Sequence, residues 1–537
     1  MYNMSLEDAY FPAQTDTAVL ETTLGTLLRE AAARAPDAPA LQCADENGVL
    51  GRIWTYSQLL DDATRLAGAL LTRFTPGERI AIWSPNTPQW LIFEYAAAFA
   101  GLTLVTVNPA YQPRELKFVL EQSNSAGLFL TKEYRGNPMW KIAGEVAADI
   151  PGLREIVDLE DEAALFEGAG QSVSFPDVKP DDAAQIQYTS GTTGFPKGAI
   201  LHHRGITNNA RMIFDRLKVE PGDVVLNFMP MFHTSGCAIM ALGAVQFDCK
   251  MIVAKLFSPP RMLDIMEREK PSFMLSVPTM LIGLLEAQAT EPRDVSSIRM
   301  VCSGGSMVPP YLVREVRSTF NCGFQTIYGQ TEVSPVLTQT RYTDSIDDLC
   351  NTVGQPLPQI EVSIRNPGTN AICGIGEVGE ICGRGYNIML GYNNNPDATV
   401  AAIDAEKWLH TGDLGTMDAR GYVRLTGRVK EMIIRGGENL FPAEIESTLS
   451  EHPSVAETAV IGVPDPKWGE IVACFVRPVQ GMSLDRDALL AHCRKHLSPQ
   501  KTPALWIEVA EWPLTGSGKI RKFVLLERFE VGEFTPI

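Results

Sequence analysis

Short β-rich runs, Arg79–Trp83, Leu102–Val107, Gly127–Thr131, Val224–Phe228, Lys250–Val253, Phe273–Val277 and Met300–Ser303, alternate with longer segments of helical periodicity. Helix then strand, repeated, is the pattern of wound α/β layers built on mostly parallel strands. At 537 residues the chain is long enough for two or more domains with separate cores. One segment imitates a membrane span: Trp90 to Val107 is apolar except for Glu94, Thr103 and Thr106. Gly101 divides it and Asn108-Pro109 ends it, which predicts a buried helix followed by a core strand. A spanning helix wants about 20 unbroken apolar residues.

From about Val353 the texture changes to short strands punctuated by glycine, Ile360–Arg365, Gly379–Gly383 and Gly421–Thr426, which suggest a small antiparallel sheet or barrel. A second change falls at Gly427-Arg428-Val429-Lys430. It is followed by a strand at Met432–Ile434, a turn at Gly436-Gly437 and a helix opened by Pro442. The expected architecture is a large α/β N-terminal domain, residues 1–427, made of two doubly wound α/β subdomains plus a small β-barrel-like subdomain. A hinge at residues 428–430 would join it to a smaller, mobile α+β C-terminal domain, residues 431–537.

The run Tyr188-Thr189-Ser190-Gly191-Thr192-Thr193-Gly194-Phe195-Pro196-Lys197-Gly198 combines Ser/Thr hydroxyls, glycines and a lysine between apolar flanks. Glycines let backbone approach a ligand, hydroxyls and amides donate, and the lysine compensates negative charge; that is the chemistry of a loop around phosphate oxygens. It is not a Walker A loop, because Lys197 is followed by Gly198 rather than Ser or Thr. The net charge of −18 argues against a nucleic-acid binder. The ten cysteines are scattered without a CxxC pair, as expected of reduced thiols in a cytoplasmic protein, and no signal peptide is visible.

Four more segments follow in order: Tyr328-Gly329-Gln330-Thr331-Glu332, Trp408-Leu409-His410-Thr411-Gly412-Asp413, Gly427-Arg428-Val429-Lys430 and Pro513–Lys519. With the hydroxyl-rich loop, and from about residue 20 to residue 525, they resemble the adenylate-forming superfamily of acyl-CoA synthetases, nonribosomal adenylation domains and luciferases. Within it, Arg435-Gly436-Gly437-Glu438-Asn439 and the segment around His233 look most like medium-chain and fatty acyl-CoA synthetases.

The resemblance implies that ATP activates a carboxylic acid as an acyl-adenylate with release of pyrophosphate, and that the acyl group then passes to coenzyme A. It implies that Thr189, Ser190, Gly191, Thr192, Thr193, Gly194 and Lys197 hold the β- and γ-phosphates. Glu332, with Thr189, would coordinate Mg²⁺, a hard cation suited to oxygen ligands. Thr331 would contact the α-phosphate. Tyr328 would lie against adenine, with Gly304, Gly305, Ser306, Gly329 and Gln330 around the base. Asp413 would accept hydrogen bonds from the ribose hydroxyls, and Arg428 would bind the same sugar. Lys519 would be the mobile catalytic lysine, Lys430 the hinge, and Gly436 and Gly437 the hairpin that admits pantetheine. Relatives with the spacing of Pro513 to Lys519 are acetylated on the lysine, and a homodimer is compatible with the resemblance. No nucleic acid and no transmembrane segment are expected.

For the acid, His233 lies in Met229-Pro230-Met231-Phe232-His233-Thr234-Ser235-Gly236, where amino-acid-activating relatives carry an aspartate. Its absence predicts an acid without an α-amino group. Gly329, where acetate-activating relatives place a tryptophan, predicts an open pocket floor for a medium or long chain. Ala238, Ala241, Gly243 and Ala244, with Met240 and Leu242, would form a wall beside it. An aryl acid, or acyl transfer to a separate carrier protein, is the rival expectation. His492 and His496 have zinc-binding spacing but no third ligand in the sequence, and are expected on a solvated helix face.

Overall fold

The computed structural model describes residues 2–189, 196–436, 438–516 and 519–537. In one sheet Arg79–Trp83 lies between Thr103–Val107 and Ser125–Leu130, with Ala183–Thr189 and Glu155–Asp158 outside them, all parallel. Lys197–His202 and Gly391–Tyr392 extend this sheet with antiparallel pairing. In a second sheet Gly323–Tyr328, Met300–Ser303, Phe273–Ser276, Val224–Asn227, Lys250–Ala254 and Pro39–Ala44 run parallel in that order, with antiparallel strands at both edges.

The span-like segment is the helix Pro88–Phe99 and the strand Thr103–Val107, and every residue of that strand is buried. Thr87 caps the helix by accepting from the Trp90 amide, and Pro88 occupies its first turn. A parallel strand covered on both faces needs an unbroken apolar run, which is why this stretch looks membranous in the sequence. No helix among the described residues is long and apolar enough to cross a membrane.

The glycine-punctuated part is a five-stranded antiparallel sheet in the order Tyr10–Phe11, Ile360–Arg365, Gly379–Gly385, Leu409–Met417, Val423–Arg428. The strand expected from Gly421 begins at Val423, because the turn Asp418–Gly421 closes first, with the Gly421 amide on the Asp418 carbonyl. The N-terminal Tyr10–Phe11 carried no strand expectation; two residues pair on the edge through Phe11, which is fully buried.

The C-terminal sheet is built on a long hairpin, Val455–Asp465 with Gly469–Pro478, flanked by Ile433–Arg435 and Leu505–Glu508. Its side chains alternate by period two. Val460, Val472, Cys474 and Val476 join Leu449 and Trp506 on one face, while Ala459, Ile461, Ala473 and Phe475 join Leu525 on the other. Tyr311 donates to the Ala456 carbonyl (3.2 Å), and Arg477 reaches Glu286 (4.0 Å), so this sheet is seated on the larger body.

Candidate active site

The carboxyl ends of parallel strands are where wound α/β sheets bind ligands. Thr189, Ser303 and Tyr328 each end such a strand. Tyr328 is buried, and its hydroxyl donates to Asp413 Oδ2 (3.0 Å). Asp413 pairs in register with Arg428 on the neighbouring strand, and Arg428 Nε binds its other oxygen at 2.8 Å. Burial raises the Asp413 carboxyl above its usual range, and Arg428 opposes that rise. The arrangement leaves a half-exposed guanidinium over a buried carboxylate, a fit for a diol whose hydroxyls donate to the acid.

On the phosphate side, Thr189 and Lys197 face each other across the end of their hairpin, Thr189 Oγ1 donating to the Lys197 carbonyl (3.3 Å). Ser190, Gly191, Thr192, Thr193 and Gly194, and likewise Gly437, lie outside the described residues. The Lys197 ammonium sits 4.9 Å above the ring of Tyr392, and the Tyr392 hydroxyl donates to Glu332 Oε1 (2.7 Å). Tyr392 therefore ties Lys197, at the end of the hairpin, to Glu332. Sequence reasoning missed it; the only pointer was an aromatic following Gly391 in the asparagine-rich stretch Tyr392-Asn393-Asn394-Asn395. Thr331 and Glu332 form a buried 3-10 turn, Gln330 precedes it half-buried, and Gly305 and Ser306 are exposed at the mouth of the site. A carboxylate beside threonine hydroxyls is a donor set that fits Mg²⁺.

Lys519 enters this site from the segment between the strand Leu505–Glu508 and the helix Lys522–Glu530. Lys519 is paired with Thr515, the Thr515 amide on the Lys519 carbonyl (2.7 Å) and the Lys519 amide on Thr515 Oγ1 (3.0 Å). Gly516 is wedged between Asn108 and Phe232, whose atoms lie 2.5 and 2.9 Å from where a β-carbon would stand. Lys519 Cε is 3.5 Å from the corresponding point on Gly305. Burial, then the charge of Arg428, pushes the Lys519 amine down to about 8, while Asp413 and Glu332 act to keep it protonated. Burial and the neighbouring Lys519 push His233 down to about 3, so its ring is neutral at physiological pH. Nδ1 accepts from the Ser235 amide (3.2 Å), which places the ring proton on Nε2.

Two expectations need correcting. Gly329 does not open the pocket floor: a β-carbon there would stand 2.1 Å from the Pro335 carbonyl oxygen and 2.8 Å from Val336 Cα. The glycine is needed for close backbone approach. Gly329→Ala is accordingly expected to lower stability by about 1–3 kcal/mol through overpacking, seen as a lower melting temperature; an open floor would instead give unchanged melting and a shorter acyl preference. Gly243 is no part of an acyl wall either, because its missing side chain makes room for the Phe214 ring, which would stand 2.2 Å from a β-carbon there. Gly436 is not brought to the site with Lys519; it lies under the Trp468 ring and donates its amide to the Trp468 carbonyl (2.7 Å).

A buried acid distant in the sequence, Glu94, lies near the helix after His233. Gln185 donates to Glu94 Oε1 (2.5 Å), and Cys237 on that helix lies 3.6 Å from Gln185 Oε1. Complete burial raises the Glu94 carboxyl well above its usual range. His492 and His496 gain a neighbour in His452, 5.3 Å from the His492 ring, but His492 Nε2 is already taken by the Thr448 carbonyl (2.9 Å).

Residues 28–393 match the AMP-binding enzyme family, and residues 444–519 match the AMP-binding enzyme C-terminal domain. The chain belongs to the AMP-binding enzyme family. Within it, this enzyme is an acyl-CoA synthetase, an AMP-forming acid–thiol ligase. It is 36% identical to YngI of Bacillus subtilis, which carries an acyl-CoA synthetase name, over 95% of this chain and 97% of that one. It is 32% identical to the mitochondrial medium-chain acyl-CoA ligase ACSF2 of Homo sapiens, over 95% and 88% respectively. The ATP-bound crystal structure of MatB from Rhodopseudomonas palustris superposes with a TM-score of 0.85 at 27% identity, covering 95% of this chain and 99% of that one.

Proposed function

We propose that the enzyme activates a medium-chain carboxylic acid, and that the conformation described above is the one that makes the acyl-adenylate. The observation that carries this is Lys519: its side chain lies part-buried beside Gly305 and His233, with Asp413 and Glu332 as charged neighbours. An ammonium there meets both the acid's carboxylate and the α-phosphate. A carboxylate oxygen attacks the α-phosphorus, the bond to the β-phosphate oxygen breaks, and pyrophosphate leaves with that electron pair. Asp413, Arg428 and Tyr328 hold the ribose and fix the α-phosphate relative to Lys519, while Thr189 and Lys197 hold the departing phosphates. Mg²⁺, held by Glu332 and Thr189, would draw charge from the phosphate oxygens. The thiolate of coenzyme A then attacks the acyl carbon and AMP departs. His233 stands at the acyl position as a neutral gate.

The apolar acid is supported by the wall Ala238-Ile239-Met240-Ala241-Leu242, buried throughout within a π-helical stretch, and by the name of the ACSF2 relative. Ten free cysteines support a reducing compartment such as the cytoplasm. The placement of Lys519 inside the site means that an acetylating enzyme would reach it more readily once the C-terminal domain, residues 431–537, has moved about residues 428–430. The substrate is tested by competing saturated acids from acetate to palmitate against benzoate, with acyl-CoA product as the readout. Medium-length chains are expected to dominate; preference for acetate or benzoate overturns this choice.

A further inference from the structure

The hydrogen bonds beneath the ribose site form a chain that the reaction as described leaves unused. The strands Gly379–Gly385 and Leu409–Met417 pair with a register shift between Glu380 and Cys382. There Glu380 Oε1 accepts from the Gly412 amide (2.9 Å), and Glu380 Oε2 lies 2.9 Å from His410 Nδ1. The other ring nitrogen of His410 faces Asp404 Oδ2 at 3.5 Å. Asp404 is itself fixed, its second oxygen accepting from the amides of Glu406 and Trp408, both at 2.9 Å. Thr411, between His410 and Gly412, donates to the Ile381 carbonyl (2.7 Å) and accepts from the Asp413 amide (3.1 Å).

We propose that Glu380 and His410 are positioning residues for nucleotide binding: Glu380 braces the Thr411-Gly412-Asp413 turn, and His410, clamped between Glu380 and Asp404, aims Glu380. The inference rests on the reading that Asp413 accepts from the ribose hydroxyls. Neither residue touches the nucleotide; each acts through Asp413, as an outer carboxylate–histidine pair orients a ligand. Hydrogen bonding to Glu380 keeps the His410 imidazole protonated to higher pH than usual. The groups facing it are Glu380, Asp404 and the buried Cys382 thiol, with Arg365 acting on Cys382 and Asn370 on Asp404. As pH rises through the His410 pKa, the clamp loses its charge and the KM for ATP increases.

The test measures pyrophosphate exchange with ATP and with 2′-deoxy-ATP in Glu380→Ala, His410→Ala, Glu380→Gln and Asp413→Asn. Glu380→Ala and His410→Ala are expected to raise the KM for ATP roughly tenfold, leave the KM for the acid unchanged, and shrink the discrimination against 2′-deoxy-ATP. Glu380→Gln, whose carbonyl still accepts from Gly412, recovers most of that discrimination. The rise of the wild-type KM for ATP with pH disappears in His410→Ala. If Asp413→Asn leaves deoxynucleotide discrimination intact, the ribose reading itself falls. If Asp413→Asn changes it and Glu380→Ala does not, the positioning role falls; a loss confined to melting temperature and kcat overturns it too. Glu380, Cys382 and His410 also bring three donor atoms within 4.8 Å of one another. Chelator treatment followed by restored Mg²⁺ must therefore leave the KM for ATP unchanged, and an increase overturns positioning by direct contact.

Discussion

Lys519→Ala is expected to abolish acyl-adenylate formation while sparing thioester formation from acyl-adenylate supplied ready-made. The physical reason is where the charge sits. In the described conformation Lys519 is partly buried, and bulk water screens it less from a phosphate arriving beside it than it would at the surface. As the carboxylate nears the α-phosphorus, two negative groups converge, and Lys519 is the cation aimed at them. Removing a preorganised donor of this kind costs roughly 10²–10³-fold in rate, more where it carries full charge. Alanine also leaves the neighbouring Asp413 and Glu332 without that compensation. Normal pyrophosphate exchange in the variant would sink the assignment.

The same burial gives a pH dependence whose sign is fixed. The reactive form is the ammonium, and its pKa in the free enzyme is pushed down to about 8. Below that pH the amine is charged and kcat/KM for adenylation is level; above it, kcat/KM declines by roughly tenfold per unit as the proton is lost. Thioester formation from supplied acyl-adenylate should not follow this titration.

The wound α/β halves were legible in the sequence because strands covered on both faces must be continuously apolar, as at Thr103–Val107. The candidate site residues arrive on segments whose order could be compared as a set, and the structure brings Tyr328, Asp413, Arg428 and Lys519 into one electrostatic cluster. What stayed hidden were partners far apart in the chain. Tyr392 and Glu332 are 60 residues apart, Glu380 and His410 are 30 apart, and Glu94 and Gln185 are 91 apart. Each looks alone like an ordinary turn or core residue. Gly329 failed for another reason. A missing side chain permits either open space or close backbone approach, and only the position of the Pro335 carbonyl decides between them.

Lys430→Pro is expected to separate the two half-reactions in the opposite sense to Lys519→Ala. Lys430 lies in the exposed turn between Val423–Arg428, an edge of the five-stranded sheet, and Ile433–Arg435 of the C-terminal sheet. The turn is held by the Val429 amide on the Gly412 carbonyl (2.9 Å) and the Glu431 amide on the Arg428 carbonyl (3.1 Å). Just beyond it, Lys522 binds Glu431 at 3.0 Å and Glu446 at 2.8 Å, which ties the end of the turn to the helix Pro442–Leu449. Gly436, the hairpin glycine expected to admit pantetheine, now packs under Trp468 while Lys519 fills the site. On the proposed reading, the thiol step needs the C-terminal domain to turn. Proline fixes φ near −65° and biases the preceding Val429 toward extended backbone, removing the freedom on which the rotation depends. Pyrophosphate exchange should stay within roughly twofold of wild type, while single-turnover thioester formation from acyl-adenylate falls by roughly a hundredfold or more. Lys430→Ala, which keeps the backbone free, should retain both. Equal loss of both half-reactions in Lys430→Pro would show that the turn supports the fold rather than the movement.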